Sequence, residues 1–325
     1  MFISIIFIIL GFILLVKGAD YLVEGSSQIA KKFHIPEIII GLTIVSIGTS
    51  LPELMVSLTS ALENHSDMAI GNVVGSNISN LFLILGACAV IKPLKFKSET
   101  VLFEIPFLVL ITSMLYIFGN STSKGIITRQ EGLILVILCV LFIIYNIWIA
   151  KRNSNDIINK LNHVDDNNDN NTQPIFKSII NIIIGIIALK FGGDFVVNSA
   201  SDIATRLGIS EKIVSLTIVS ISTSLPELIT SITATMRKEM DMAIGNIIGS
   251  SILNIVFIIG VCAVINPITY SVSYNRDMII FLTGVIVLAI IPYLGEKNKI
   301  SRWSGLGYVI SYISYIASLI HVNFL

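Results

Sequence analysis

The stretch that decides the fold reads GLTIVSIGTSLPELMVSLTSALENHSDMAIGNVVGSNISN at residues 41–80. It recurs at residues 215–254 as SLTIVSISTSLPELITSITATMRKEMDMAIGNIIGSSILN, with every position 174 residues after its equivalent. Both copies are strongly apolar, yet each contains a proline, paired hydroxyls and a glutamate, which is Glu53 in the first copy and Glu227 in the second. Because ionisable side chains are costly at membrane depth, these polar groups indicate a functional site.

The composition of the whole chain is that of a membrane protein. Its 325 residues are 54% hydrophobic and only 13% charged, which together with long apolar runs predicts a polytopic helical membrane protein. The formal net charge is zero, so nothing in the composition indicates nucleic-acid binding. The first residues, MFISIIFIILGFILLV, lack the positive region of a signal peptide, and we expect them to begin the first span.

Hydropathy predicts ten transmembrane helices in two groups of five. The first group covers residues 2–31, 36–63, 68–91, 99–118 and 126–150, and the second covers residues 176–206, 211–236, 241–265, 274–293 and 303–323. The predicted units are therefore an N-terminal five-helix repeat (1–150), a polar linker (151–175) and a C-terminal five-helix repeat (176–325). An acidic run in the linker, residues 165–169, could hold calcium loosely, but a solvated linker is the favoured interpretation.

Positive charges in the loops predict the orientation. Loops after odd-numbered spans contain fourteen lysines and arginines, against five in loops after even-numbered spans. Since basic loops stay cytoplasmic, we expect a plasma-membrane protein with both termini outside and the linker inside. Each group has an odd number of spans, so the second group crosses the membrane in the opposite direction. Inverted repeats of this kind are the plan of secondary transporters, whose sites lie near the midplane between the repeats.

A proline interrupts the second span of each group, Pro52 in the first and Pro226 in the second. Proline supplies no N–H to the carbonyl four residues earlier, and it disfavours helix in the residue before it. We therefore expect each span to break, near residues 47–51 and 221–225. Carbonyls freed at the breaks need a protein group, water or an ion as partner, because lipid offers none.

Oxygen-bearing side chains surround both expected breaks. Equivalent positions contribute Thr49, Ser50, Glu53, Ser76, Asn77 and Asn80 from the first copy and Thr223, Ser224, Glu227, Ser250, Ser251 and Asn254 from the second. Carboxylate, amide, hydroxyl and carbonyl oxygens without thiolate or imidazole suit a hard cation. The four histidines lie in loops or near span ends, so we expect no zinc or copper site, and the three cysteines indicate no disulfide framework.

Structural roles are the alternative for these residues. Ser50 and Glu53 have the spacing of a helix capping box, as do Ser224 and Glu227. The neighbouring small residues could serve helix packing alone. Repetition in inverted topology, each time with a carboxylate near the midplane, favours an ion site over these roles.

The first and sixth spans also match each other. KGADYLVEGSSQIA at residues 17–30 parallels KFGGDFVVNSASDIA at residues 190–204, with Asp20 and Asp194 as equivalents. Both spans are long and carry small and polar residues, as expected of a helix that slides against a bundle. An interfacial role and a gating role both remain open for the two carboxylates.

At these motifs the chain resembles the cation/calcium antiporter superfamily, most closely its compact prokaryotic sodium/calcium exchangers. The motifs are GTSLPE at 48–53, STSLPE at 222–227, GNVVGSNISN at 71–80 and GNIIGSSILN at 245–254, and ten spans in a five-plus-five inverted repeat match the family along the whole chain. The resemblance implies backbone carbonyl ligands near Ser46 and Ser220. It implies ion ligands at Glu53 and Glu227, surrounded by Thr49, Ser50, Ser76, Asn80, Thr223, Ser224, Ser250 and Asn254.

Three residues depart from the family pattern that the resemblance supplies. Ser222 replaces the usual glycine and Ser251 replaces an asparagine, and both changes are conservative. Asn254 stands where close archaeal relatives and potassium-dependent branches carry aspartate. The site is therefore expected to contain two carboxylates rather than three, which disfavours a potassium requirement.

The sequence thus predicts an all-α integral membrane antiporter that exchanges sodium for calcium by alternating access, without a cofactor. Two glutamates neutralise one Ca²⁺ or two Na⁺, and a third Na⁺, a count inherited from the family, makes the exchange electrogenic. A proton/calcium antiporter of the same fold is the alternative. A channel is disfavoured because the broken helices form a single inverted pair, and an enzyme because the spans contain no HExxH and no nucleophile–base pair. The expected partners are the two ions and the lipid bilayer, with no nucleic acid and no obligate protein partner.

Overall fold

The computed structural model describes residues 2–63, 66–121, 125–161, 174–206, 223–294 and 298–324, and most of these residues are helical. The α-helices in chain order are α1 (Phe2–Lys32), α2 (Glu37–Ile40), α3 (Ser46–Thr49), α4 (Leu51–Leu62), α5 (Ser66–Ile78), α6 (Leu85–Ile91), α7 (Ile105–Ser121), α8 (Arg129–Leu161), α9 (Ile175–Arg206), α10 (Leu225–Met236), α11 (Met240–Leu253), α12 (Gly260–Ile265), α13 (Tyr274–Leu294) and α14 (Arg302–Phe324). Within the described ranges, four π-helical turns join or begin helices, at Gly41–Val45, Ser79–Ile84, Thr100–Glu104 and Asn254–Ile259.

The described helices confirm a multi-pass helical membrane protein. Seven segments are long and apolar enough to cross a membrane, or eight if the bent pair Glu37–Thr49 and Leu51–Leu62 forms one span. The predicted count of ten exceeds this number and stays a prediction. The seventh predicted span lies only partly within the described residues, since residues 207–222 fall outside them.

The first residues of the predicted polar linker are helical. Residues 151–161 were assigned to it, but α8 continues as helix to Leu161, and α9 begins at Ile175. Hydropathy marks where side chains become polar, which is not where the backbone hydrogen bonding of a helix ends. Residues 162–173, including the acidic run at 165–169, lie outside the described residues.

Helices α1 and α9 pack antiparallel through glycines. A Cβ added to Gly18 would lie 2.9 Å from the carbonyl oxygen of Gly185, and one added to Gly11 would lie 2.8 Å from that of Gly192. Numbers rise along one helix as they fall along the other, so the two helices run in opposite directions. Small residues allow this close backbone approach.

Buried apolar side chains form two clusters. The larger joins α5–α8 to α11–α14 and contains residues such as Ile84, Phe142 and Phe281. The smaller contains Leu15 of α1 and Leu189 of α9, which meet the helices that carry the breaks and the start of α11. The α1–α9 pair is therefore a two-helix layer beside the main bundle.

In the part of the chain that the structure describes, two short antiparallel strand pairs link connections from the two halves. Strand β1 (Leu94–Lys95) pairs with β4 (Lys299–Ile300), and β2 (Ile126–Ile127) pairs with β3 (Ile268–Thr269). Each pair thus joins one connection from the first half to one from the second.

Candidate functional site

The second span breaks at Ser50, as predicted. Ser50 has φ −85° and ψ 7°, and the segments on either side meet at 51°. Pro52 lies in the first turn of α4, where its missing N–H has no helical partner to lose. Ser224 has nearly the same backbone angles, φ −85° and ψ 0°, and Pro226 follows it in the first turn of α10. Both copies of the motif therefore begin a helix in the same way.

The two glutamates lie in the first turns of these helices and are buried. Glu53 on α4 and Glu227 on α10 are each 1% exposed. The hydroxyl of Ser50 donates to Oε1 of Glu227 at 2.9 Å. A residue of the first break thus contacts the carboxylate of the second, and the two breaks meet in one buried site.

Asn246 on α11 holds the first break in place. Its Oδ1 accepts a hydrogen bond from the Thr49 hydroxyl at 3.1 Å, and its Nδ2 donates to the Ser231 hydroxyl at 2.9 Å. Ser231 belongs to α10, the helix that begins at the second break. One amide therefore connects the first break to the helix of the second.

Asn72 on α5 is the equivalent of Asn246, and it connects the second break to α4, the helix that begins at the first break. Its Oδ1 accepts from the Thr223 hydroxyl at 3.4 Å, and its Nδ2 donates to the Ser57 hydroxyl at 3.0 Å and to the Glu53 carbonyl oxygen at 3.3 Å. The motif sequences contain both asparagines, but the prediction did not assign them a role. Asn72 lies four residues before Ser76, hence on the same helix face, and this spacing was a signal that could have identified it.

A chain of amides connects α5 and α11 near the same site. Asn77 donates from Nδ2 to the carbonyl oxygen of its own equivalent, Ser251, at 3.2 Å. Asn254 donates from Nδ2 to Oδ1 of Asn77 at 3.0 Å. The Ser76 and Thr223 hydroxyls lie 3.3 Å apart.

Asn80 and Asn254 sit at π-helical turns, which the sequence did not predict. The turn Ser79–Ile84 includes Asn80, and its counterpart Asn254–Ile259 begins at Asn254. Such turns frequently occur at functional sites, since they change which backbone groups remain unbonded. Their occurrence at equivalent positions places both amides in the same local geometry.

Six buried oxygens of the predicted ligands have no hydrogen-bond partner among the described residues. They are Glu53 Oε2, Glu227 Oε2, Asn80 Oδ1, Asn254 Oδ1, Ser224 Oγ and Ser250 Oγ. Buried polar atoms are normally satisfied, because leaving one unpaired costs free energy. A set of unpaired oxygens that includes two carboxylates is the donor set of a hard cation.

The last two predicted ligands are the backbone carbonyls near Ser46 and Ser220. The Ser46 carbonyl accepts backbone and side-chain hydrogen bonds from Ser50 N at 3.0 Å and Thr49 Oγ1 at 3.4 Å, so it already takes part in the helix. Its predicted equivalent, Ser220, lies outside the described residues, as does the departure at Ser222.

The capping-box alternative is wrong for both breaks. Neither Ser50 nor Ser224 caps its own helix with its side chain. The Ser50 hydroxyl donates instead to Glu227 in the other copy, and the Ser224 hydroxyl has no partner among the described residues. At Ser50, a carboxylate is a stronger acceptor for the hydroxyl than the local backbone groups, so the tertiary contact overrides the local motif.

A cavity of about 210 Å³ adjoins the first break on the side of α9. Its mostly apolar lining comes from both proline-containing turns and from α9, with Gly48, Thr49, Leu51, Pro52, Ile186, Ile187, Leu189, Lys190, Phe191 and Pro226 around it. The cavity therefore reaches from the α1–α9 layer to the residues at the break.

Comparison with known proteins agrees with this arrangement. The family model described as sodium/calcium exchanger protein matches residues 3–148 and 177–321. The putative antiporter CaxA of Alkalimonas amylolytica is 35% identical over 317 residues, covering 97% of this chain and 98% of that protein. The sodium/calcium exchanger MaX1 of Methanosarcina acetivorans is 28% identical over 352 residues, covering 98% and 99%. A structure of the sodium-calcium exchanger NCX_Mj matches with a TM-score of 0.81 at 31% identity, over 98% of both chains.

Proposed function

Because this chain belongs to the sodium/calcium exchanger family, we propose that it is a secondary active antiporter that exchanges sodium for calcium across the membrane. The observation that supports this most directly is that six buried oxygens of the predicted ligands have no partner among the described residues, while the Ser50–Glu227 hydrogen bond brings the two helix breaks together. Their chemistry fits hard cations, and Ca²⁺ and Na⁺ are both hard cations that prefer oxygen ligands. The related proteins named as a sodium/calcium exchanger and a putative antiporter agree with it.

In the proposed architecture, residues 1–150 and 176–325 form two five-helix repeats of opposite topology, joined by the linker at 151–175. The antiparallel packing of α1 and α9 supports this, because these helices are equivalent in sequence and repeats of the same topology would orient them alike. The family model also matches in two segments, one on each side of the linker. Ten spans, with the transport site between the repeats, follow from this plan.

In the proposed site, Glu53 and Glu227 bind the calcium ion. Together they neutralise its charge, and neutral oxygens complete the six to eight ligands that calcium takes. The hydroxyl and amide ligands are Thr49, Ser50, Thr223, Ser224, Ser76, Ser250, Asn80 and Asn254, with backbone carbonyls near Ser46 and Ser220. Sodium ions use the same carboxylates and the flanking neutral oxygens in turn, so the two ions compete for one set of ligands. The cavity beside α9 is the proposed approach to this site.

The proposed orientation places both termini outside the plasma membrane and the linker in the cytoplasm, on the strength of the loop charge bias. A single cysteine introduced among residues 162–173, in a chain without its native cysteines, should react only with reagents that reach the cytoplasm. Labelling by an impermeant reagent from outside intact cells would reverse the orientation.

A proton/calcium antiporter is the second candidate. The two buried glutamates each have one oxygen without a partner among the described residues, and a carboxylate in that situation can take up a proton in place of a sodium ion. The chemistry of the site is otherwise the same, so the driving ion has to be identified by transport.

Radioactive calcium uptake into proteoliposomes separates the two candidates. With calcium outside, an outward sodium gradient at equal pH should drive uptake, and an outward proton gradient without sodium should not. Uptake driven only by the proton gradient would replace sodium with protons in the mechanism. Uptake with neither gradient, following calcium alone, would indicate a channel.

A further inference from the structure

One face of α1 carries four polar residues at helical spacing. Asp20, Glu24, Ser27 and Lys31 are separated by four, three and four residues, which places them on one stripe of the helix. The stripe occupies the C-terminal half of α1 and faces the turn between α10 and α11.

Arg237, directly after α10, contacts the two acidic residues of this stripe, which lie at its N-terminal end. Its Nη2 and Nε donate to Oδ1 of Asp20 at 2.8 and 3.1 Å. Its Nη1 lies 3.9 Å from Oε2 of Glu24. The guanidinium therefore joins two carboxylates of α1 to the end of α10.

Glu239, two residues after Arg237, contacts the C-terminal end of the stripe. Its Oε1 accepts from the Ser27 hydroxyl at 3.0 Å and lies 3.8 Å from the Lys31 ammonium. Arg237 thus meets two carboxylates of α1, and Glu239 meets the ammonium of Lys31.

The equivalent positions in the other half carry charges that do not attract. Arg237 corresponds to Glu63 and Asp20 corresponds to Asp194, so both equivalent positions carry an acid. Asp194 pairs instead with Lys190 of its own helix, at 3.1 Å. At the position of Lys31, α9 has an uncharged threonine, Thr205, whose hydroxyl donates to its own helix. The sequence therefore encodes the attraction at one end of the α1–α9 layer and not at the other.

We propose that Arg237 and Glu239, with Asp20, Glu24, Ser27 and Lys31, form an ionic latch. It holds the α1–α9 layer against the main bundle at the face where α1 meets the α10–α11 turn. Because α1 and α9 pack tightly on each other and share the smaller apolar cluster, a contact made by α1 restrains both helices. The α1–α9 layer therefore favours the transport state that is closed on the side of the protein where α1 meets the α10–α11 turn. The other side of the protein then opens more readily. The latch rests on the proposed alternating access and assigns Asp20 to gating.

The expected effect is modest because all the charges are partly exposed. Such ion pairs contribute little individually and are screened by salt, so removing Arg237 should shift the equilibrium between the two states by about fivefold. Ala234, on α10 one turn before Arg237, reports that shift. It is 1% exposed and lies in the apolar cluster with α1, so a cysteine there becomes reactive when the layer separates.

The experiment uses the full chain, purified in detergent, with Ala234→Cys and the three native cysteines replaced by alanine. The rate of reaction with N-ethylmaleimide, which is uncharged and reaches both faces, is the readout. Arg237→Gln should raise the rate by about fivefold, and the exchanged pair Asp20→Arg with Arg237→Asp should return it to within about twofold of the unmodified latch. Arg206→Gln is the matched control, because it removes an arginine whose ion pair with Asp202 lies within α9. The control should leave the rate unchanged.

Three results would overturn the latch: an unchanged rate in Arg237→Gln, an equal rise in Arg206→Gln, or no recovery with the exchanged pair. Should Arg237→Gln not yield folded protein, Lys31→Gln provides the test, since it removes only the ion pair with Glu239 and must still raise the rate. The labelling requires no transported ion. A flat result therefore rejects the latch without bearing on calcium exchange, which the flux measurement tests separately.

Discussion

Ser50 and Ser224 occupy equivalent positions at the two breaks, yet they differ in what they bind. Both are buried, and their backbone angles agree to within several degrees. The Ser50 hydroxyl donates to Glu227 at 2.9 Å, whereas the Ser224 hydroxyl has no partner among the described residues. Repetition of the motif therefore reproduces the backbone and its burial, but not the hydrogen bonding of the oxygens that face the site.

In contrast, the hydrogen bonds that hold the two breaks are equivalent in the two copies of the motif. Thr49 binds Asn246 and Thr223 binds Asn72, so each break is fixed by the asparagine of the other copy. This difference separates two groups of residues. One group is paired alike in both copies and supports the site, and the other contains unpaired oxygens that are available to an ion.

The largest effect is expected at the carboxylates, where the two copies should respond equally. Glu53→Gln or Glu227→Gln preserves side-chain size but leaves one charge opposite a divalent ion. An ion pair at about 4 Å in a protein environment is worth about 4 kcal/mol, so calcium transport should fall by roughly a hundredfold or more. Folding should survive, because neutralising a buried acid removes a desolvation cost.

Calcium flux in proteoliposomes, together with gel filtration and thermal unfolding of each variant, checks this expectation. Near-normal flux in a well-folded Glu53→Gln chain would remove Glu53 from the site. A loss confined to one of the two variants would show that the two carboxylates are not equivalent partners of calcium.

The second-largest effect is expected at Asn72 and Asn246, the asparagines that hold the two breaks. Asn72→Ala and Asn246→Ala each leave two hydroxyls without their amide partner, so each should reduce stability by about 1–3 kcal/mol. The midpoint of thermal unfolding in detergent measures the loss. Asn120→Ala is the control, since Asn120 is exposed and its partner Asn275 can bind water instead. If Asn72→Ala and Asn246→Ala unfold like the control, these asparagines do not support the breaks.

How much of this could be predicted from sequence depends on the range of the interactions. The breaks and the buried glutamates were predictable, because proline acts on its own helix turn and the repeat marks both positions. The bond from Ser50 to Glu227 was not, since the local capping motif competes with a partner 177 positions away. The π-helical turns at Asn80 and Asn254 likewise depend on packing between helices, for which the sequence contains no local signal.

A smaller effect should distinguish the two serines. Ser50→Ala removes a hydrogen bond to a carboxylate and should lower stability by about 2 kcal/mol, measured without added calcium or sodium. Ser224→Ala should change stability by less than about 0.5 kcal/mol under the same conditions. Both variants should bind calcium more weakly, because each loses one ligand. Equal destabilisation by the two changes would show that the hydrogen bond of Ser50, which Ser224 lacks, does not contribute to stability.

The smallest expected effect is a change in pH dependence at Asn254. An asparagine cannot bind a proton, whereas Asn254→Asp introduces a carboxylate whose oxygen replaces the amide that donates to Asn77. In its protonated form the variant should transport like the wild type, and in its ionised form it should hold cations more tightly and release them more slowly. Sodium-driven calcium flux should therefore depend on pH near neutrality more strongly in the variant than in the wild type.

Asn80→Asp is the matched change in the other copy, where Oδ1 has no partner among the described residues. It should show the same direction of change without the added loss of the Asn77 contact. Coinciding pH profiles for wild type and Asn254→Asp would place Asn254 away from the ion.

Equilibrium calcium binding to the purified chain tests the central claim most directly, because it needs neither a gradient nor a membrane orientation. Glu104→Gln is the appropriate control, since Glu104 is also a buried glutamate, 3% exposed, with an oxygen that has no partner among the described residues. Wild type and Glu104→Gln should bind radioactive calcium, and added sodium should displace it. The double variant Glu53→Gln, Glu227→Gln should fold and bind none. Sodium-displaceable calcium binding that persists in the double variant would contradict the assignment of the two glutamates as the calcium site.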